Sequence, residues 1–208
     1  MTALAVLGAT GRTGRLVVEQ ALDRGHRVTA IVRGPGALGL DHPLLTIVVA
    51  DIAAPGALRG LLDGHDAVLS ALGATDRRPT TLYSGGTAAI IDAMPSGGRL
   101  LVVSSAGVEI PSDAGRIASA LGAVLHRIMR ETYTDMARME RLLAASDLAW
   151  TAVRPTRLTD RPATGRPRIA IGARTRVGSA TARADLAAYL LDAVGDPRTE
   201  RTAVAVSS

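Results

Sequence analysis

Cysteine, phenylalanine and lysine are all absent from the 208 residues. Without cysteine there are no disulfides, thiolate metal sites or cysteine nucleophiles. Without lysine no Schiff base forms, and no proton relay that depends on an ammonium group operates. Aromatic side chains make up 2% of the chain, too few to form a base-stacking platform, so no nucleic-acid partner is expected. The four histidines, His26, His42, His65 and His126, are scattered, and no metal site is expected. No apolar run approaches the roughly 18 to 20 residues of a membrane span. The first strand pattern starts at Ala3, which leaves no room for a signal peptide. These absences predict a cytoplasmic protein with no membrane partner, a monomer or weak dimer.

What is present is charge of one kind and a balanced apolar content. The net charge of +5 is carried by 24 arginines. Eight of them (Arg154, Arg157, Arg161, Arg166, Arg168, Arg174, Arg176 and Arg183) fall within a short Pro/Gly-rich stretch. That density suits phosphates or acidic substrates, and it equally suits a solvated surface in a chain that uses no lysine. A chain that is 47% hydrophobic buries about 70% of its unfolded surface in one core, which predicts a single domain over 1–208.

Short apolar runs alternate with longer helical patterns. ALAVL (3–7), RVTAIV (27–32), LLTIVV (44–49), DAVLSAL (66–72), RLLVVS (99–104) and LAWTAV (148–153) read as strands. Helices are predicted near 13–24, 55–62, 80–94, 115–145 (broken) and 184–194. Strands that are apolar on both faces and separated by helices imply a mainly parallel sheet covered on both sides, a doubly wound α/β layout. PRIAIG (167–172) and TAVAVS (202–207) offer late additional strands, and residues 154–183 read as an excursion off the sheet on the substrate side.

The first strand runs into LGATGRTGR. Gly8, Gly11 and Gly14 lie three apart where the chain must turn from strand into helix. Glycine permits the sharp turn, lets backbone N–H groups approach a pyrophosphate, and allows tight strand-to-helix packing. The helix N-terminus adds a partial positive charge for the phosphates. With Thr10, Arg12 and Thr13 between the glycines, this reads as a Rossmann-like dinucleotide site. The second strand ends at Arg33, where an acid would hydrogen-bond a ribose 2′-hydroxyl. An arginine there favours the 2′-phosphate, so NADP(H) is the expected cofactor, with Arg12 a second charge for the same phosphate.

These residues resemble the atypical short-chain dehydrogenase/reductase superfamily, in particular the NmrA-like, NAD(P)H-binding branch that contains biliverdin-IXβ reductase (flavin reductase). GATGRTG, VTAIVR, DAVLSALG, RPTTLYSGGTAAIIDAM, VVSSAGV, MARMERLLAASDLAWTAVRP and RPATG carry the resemblance in order along the chain. It implies that Asp51 and Ile52 lie by the adenine and that Ala71, Leu72 and Gly73 face the middle of the cofactor. It also implies that Ser104 and Ser105 stand near the nicotinamide, and that the Arg154-Pro155-Thr156 segment closes over that end. A serine hydroxyl is equally suited to capping local backbone.

Two departures from the family matter. Tyr133 is followed four residues later by Ala137, so the tyrosine–lysine relay of the larger superfamily cannot operate. Arg157 stands where the flavin-reductase branch has a histidine; it is no acid near neutral pH but suits an anionic acceptor. Ser105 and Arg157 are the candidate catalytic residues. On the following helix pattern, Met136, Met139 and Glu140 share a face, which fits ordinary packing with Glu140 at the rim better than catalysis. Asp185 reads as the cap of the last long helix. The expected activity is NADPH-dependent hydride transfer to a flat conjugated acceptor, flavin, quinone or tetrapyrrole-like. The alternative is a non-catalytic NADP(H)-binding regulator of the NmrA type.

Overall fold

Five consecutive buried residues, Ala3–Leu7, form β1, the central strand of the sheet. Successive side chains of a strand point to opposite faces, and here the alternation feeds two cores. Leu4 and Val6 pack with Val17, Val18 and Leu186 on one face, and Ala5 and Leu7 with Tyr83, Met136 and Leu143 on the other. The computed structural model describes residues 1–74, 80–109, 127–172 and 177–208. In it β2 (Arg27–Val32), β3 (Leu45–Val49), β4 (Ala67–Ser70), β5 (Arg99–Val103), β6 (Ala149–Pro155), β8 (Arg168–Ile171) and β10 (Thr202–Ser207) join β1 in one sheet. The order is β3-β2-β1-β4-β5-β6-β10-β8. Every neighbouring pair is parallel except β10 and β8, which run antiparallel.

Among the described residues four α-helices cover this sheet: α1 (Arg12–Asp23), α2 (Leu82–Ala93), α3 (Arg130–Ala145) and α4 (Arg183–Asp192). α1 and α4 contribute to one core, α2 and α3 to the other. The expected doubly wound, mainly parallel α/β architecture is therefore the observed one. From β1 the strand order runs outward in both directions, so the carboxyl ends of β1 and β4 border the crevice in which such sheets hold ligands.

Two expectations about elements need correction. Residues 55–62 are not helical but a run of turns, closed by hydrogen bonds such as Arg59 N to Gly56 O (3.1 Å) and Leu61 N to Leu58 O (3.0 Å). Gly56 and Gly60 adopt φ of +71° and +73°, which a right-handed helix does not allow, while Leu58 and Leu62 still reach the core. The stretch 154–183 does not leave the sheet throughout, because β6 extends to Pro155 and β8 returns as an edge strand. Between them β7 (Arg157–Thr159) pairs in parallel with β9 (Ala180–Ala182) in a small second sheet, which the pattern did not predict. Residues 115–126 of the expected 115–145 helix lie outside the described residues, as do Arg174 and Arg176, and with them His126.

Candidate functional site

Gly8 ends β1 in the left-handed region, at φ +75°. A Cβ on it would fall 2.5 Å from the carbonyl oxygen of Ala71, at the end of the neighbouring strand β4. One on Gly14 would fall 2.1 Å from Gly8 O. Two of the three glycines are therefore dictated by backbone-to-backbone contact. Gly11 is the N-cap of α1; its N–H donates to Gly8 O (2.9 Å). It has no side chain to cap the helix, and the first turn of α1 carries no acid. The N–H groups that open a helix have no internal partners, so those of α1 are available to an anion. Thr10 and Gly11 are exposed, and Thr13 is buried against the turn. This geometry fits the pyrophosphate of a dinucleotide.

Arg33 stands exposed just past β2, and its side chain has no partner among the described residues. Asp51, just past β3, accepts a hydrogen bond from the Ala53 N–H (3.0 Å), which folds the following turn and places Ile52 against the core. Arg12 points elsewhere: its guanidinium lies 3.0 Å from Asp160 in the segment after β7, and Arg183 donates to the other oxygen of that carboxylate (2.6 Å). Arg15, not among the expected residues, reaches the segment after β2, donating to Leu38 O (2.8 Å).

After β4, the Ala71-Leu72-Gly73 segment is tied down by its neighbour. The Ala74 N–H donates to the Tyr83 hydroxyl (3.0 Å), and burial raises the pKa of that phenol. Ser104 is buried and donates to Glu140 Oε1 on α3 (2.6 Å). Ser105 is partly exposed; its oxygen accepts from Gly107 N (3.1 Å), capping a single 3-10 turn over Ala106–Val108. Tyr133 lies directly over Gly107, where a Cβ would come 2.4 Å from the phenolic oxygen. Arg154 donates through Nε to Glu140 Oε1 (3.0 Å), through Nη2 to Glu140 Oε2 (2.5 Å), and through Nη1 to Glu109 (2.8 Å). Burial works to lower the Arg154 pKa, but its hydrogen bonds to both carboxylates outweigh it and raise it. Glu109 is lowered in turn, chiefly by its bond to Arg154. Pro155 is buried at the end of β6, and Arg157 is exposed on β7 with no partner among the described residues.

One carboxylate takes a role that differs from expectation, and a second takes one that the sequence reading did not assign. Asp185 does not cap α4. It accepts from Thr164 N and Gly165 N (3.0 Å each), from the Thr164 hydroxyl (2.8 Å) and from Ser208 (2.5 Å). Asp135, fully buried on α3, accepts from Tyr83 N (2.9 Å), Ser84 N and the Ser84 hydroxyl, and so caps α2 from another helix. No local pattern in the sequence signals a cap supplied from 52 positions away. The Glu140–Arg154 pair joins residues only 14 apart, yet in sequence Glu140 looks like the polar edge of an amphipathic helix.

The model of a family described as NAD(P)H-binding matches residues 8–197. An uncharacterised chloroplastic protein of Arabidopsis thaliana is 31% identical over 177 residues, 77% of this chain and 60% of that one. A chloroplastic divinyl chlorophyllide a 8-vinyl-reductase of Oryza sativa subsp. indica is 36% identical over 80 residues, 34% of this chain and 20% of its own. The chain thus spans less than two thirds of the length of either relative. Among solved structures, a protein assigned as an NADH-flavin reductase from Streptococcus pneumoniae superposes with a TM-score of 0.80 at 25% identity, covering 100% of both chains. Among the described residues no helix is long and apolar enough to cross a membrane. With the family match starting at the first glycine of the turn and continuing past α4, the chain belongs to this NAD(P)H-binding family.

Proposed function

We propose that this protein is an NADPH-dependent reductase that acts on a flat conjugated acceptor, flavin, quinone or tetrapyrrole-like, without a tyrosine–lysine relay. The observation that carries the reading is a glycine turn shaped for a pyrophosphate, with an exposed Arg33 that has no partner among the described residues, in a chain that has no lysine. The likeness to a flavin reductase structure and to a chlorophyllide vinyl-reductase supports acceptors of this shape. When bound, NADPH supplies the hydride, and an electron-poor acceptor takes it without a dedicated protein acid.

The chain's own residues would bind, orient and exclude water. Gly8, Thr10, Gly11, Thr13 and Gly14 hold the pyrophosphate, and Arg33 holds the 2′-phosphate. Asp51 and Ile52 flank the adenine, and Ala71, Leu72 and Gly73 line the middle of the crevice. Ser104 and Pro155 border the nicotinamide end. Arg12, in a pair exposed on both sides, exchanges Asp160 for a phosphate at small cost, since such pairs contribute about 0–1 kcal/mol. Ser105 is the hydroxyl able to donate toward an acceptor, because among the described residues only its lone pair is engaged. Arg157 is free to hold a carboxylate or phosphate on that acceptor.

Purified protein should oxidise NADPH, followed by its near-ultraviolet absorbance, with at least one member of a panel of flavins, quinones and biliverdin, and should do so far more slowly with NADH. Arg33→Ala should weaken NADPH binding by about 1.5–3 kcal/mol, the range for hydrogen bonds to charged groups, and leave NADH nearly unchanged. Unchanged NADPH affinity in that variant would remove the role given to Arg33. Tight NADPH binding with no acceptor reduced would favour the regulatory alternative.

A further inference from the structure

The two adjacent serines after β5 have opposite hydrogen-bonding capacities. Ser105 receives a hydrogen from Gly107 N, and its own proton has no partner among the described residues. Ser104 commits its one proton to Glu140 Oε1 at 2.6 Å and keeps only lone pairs. Arg154 enforces this arrangement by donating to both oxygens of the same carboxylate, while its third donor is held by Glu109. A guanidinium has no acceptor to offer, so the Glu140 carboxylate must accept from it and remains an acceptor toward Ser104. The side chains of Arg154 and Glu140 are only 12% and 14% exposed, which shields the pair from water.

We propose that Glu140 and Arg154 are positioning residues that fix Ser104 as an acceptor only, and thereby select a ligand group bearing N–H, the carboxamide of a nicotinamide. The inference rests on the NADP(H) reading given above. A hydroxyl free to rotate would serve a carbonyl or an amide nitrogen equally well, whereas this one rejects a carbonyl. Holding the amide nitrogen in one place also holds the ring conjugated to it.

The test is calorimetric binding of three probes: NADP+, its 3-acetylpyridine analogue, in which a methyl replaces the amide nitrogen, and adenosine 2′,5′-bisphosphate, which has no nicotinamide. The wild-type protein should bind NADP+ about three- to tenfold more tightly than the analogue, the size of one net hydrogen bond. Ser104→Ala should bring that ratio close to one, and Ser104→Thr, which keeps the hydroxyl, should retain it. Glu140→Gln should also abolish the preference, because the new amide oxygen stays with Arg154 while its NH2 turns to Ser104 and frees the serine proton. Adenosine 2′,5′-bisphosphate should bind all four proteins alike. A merely structural role for the pair would weaken both nicotinamide ligands equally and leave the ratio intact. A preference that survives Ser104→Ala, or none in the wild type, would overturn the proposal even if Glu140→Gln fails to fold. If the wild type bound neither NADP+ nor the bisphosphate, the NADP(H) reading itself would fall, and this inference with it.

Discussion

The glycines of the candidate site differ sharply in what they demand. Gly14 has no room for a methyl group, since its Cβ would meet the Gly8 carbonyl at 2.1 Å and neither backbone can yield. Gly73, in the segment after β4, has nothing within 4 Å of the same position. Gly14→Ala should therefore cost about 1–3 kcal/mol of stability, the range for overpacking. Gly73→Ala should stay within about 0.5 kcal/mol, as for surface changes. Urea unfolding of the two variants checks the contrast, and equal losses would contradict the packing argument. The spacing of these residues was legible in the sequence because glycine has few reasons to recur there. The direction of Arg12 was not, because a side chain's partner across 148 positions is a property of the folded crevice.

At the scale of elements, strands were read almost to the residue, since runs apolar on both faces have no other home in this architecture. β1, β2 and β10 coincide with ALAVL, RVTAIV and TAVAVS. The failure at 55–62 has a local cause that composition alone underweights: two glycines at positive φ interrupt what the leucine spacing suggested. α2 shows a different kind of dependence. Its N-cap Thr81 makes no side-chain cap, and Asp135 of α3 supplies the acceptor instead. Asp135→Ala would leave buried donors of Tyr83 and Ser84 without partners, at a cost of about 1–3 kcal/mol. Hydrogen exchange should show the loss concentrated at the first turn of α2 and at Ala74, whose N–H is held by Tyr83. Uniform loss of protection across the sheet would argue against the cap.

For the whole molecule, Asp185 joins three distant parts: the 164–165 loop, the first turn of α4 and the terminal Ser208. Burial works to raise its pKa, but the hydrogen bonds from Ser208, Thr164 and Gly165 outweigh it and hold it below the usual value. A depressed carboxylate means that the unfolded chain binds the proton more readily. The resulting stability is fully present above the unfolded pKa, near about 4, and is lost as pH falls through the folded value. Asp185→Asn should lower stability at neutral pH by about 1.5–3 kcal/mol, the range for hydrogen bonds to a charged group, and flatten the decline below about pH 4. Thermal melts over an acid pH series measure both effects, and a variant with the wild-type acid slope would show that another group carries it.

The sequence by itself determined the architecture and the place of the cofactor turn. Apolar periodicity and glycine geometry are local constraints that few alternatives satisfy. It determined equally that no lysine relay operates, because the residue type is missing altogether. Only the tertiary structure decided the polarity of Ser104, the cap on α2 and the attachments of Asp185. Each depends on a hydrogen bond between groups far apart along the chain, and such partners are fixed by how helices settle on the sheet rather than by any pattern along it.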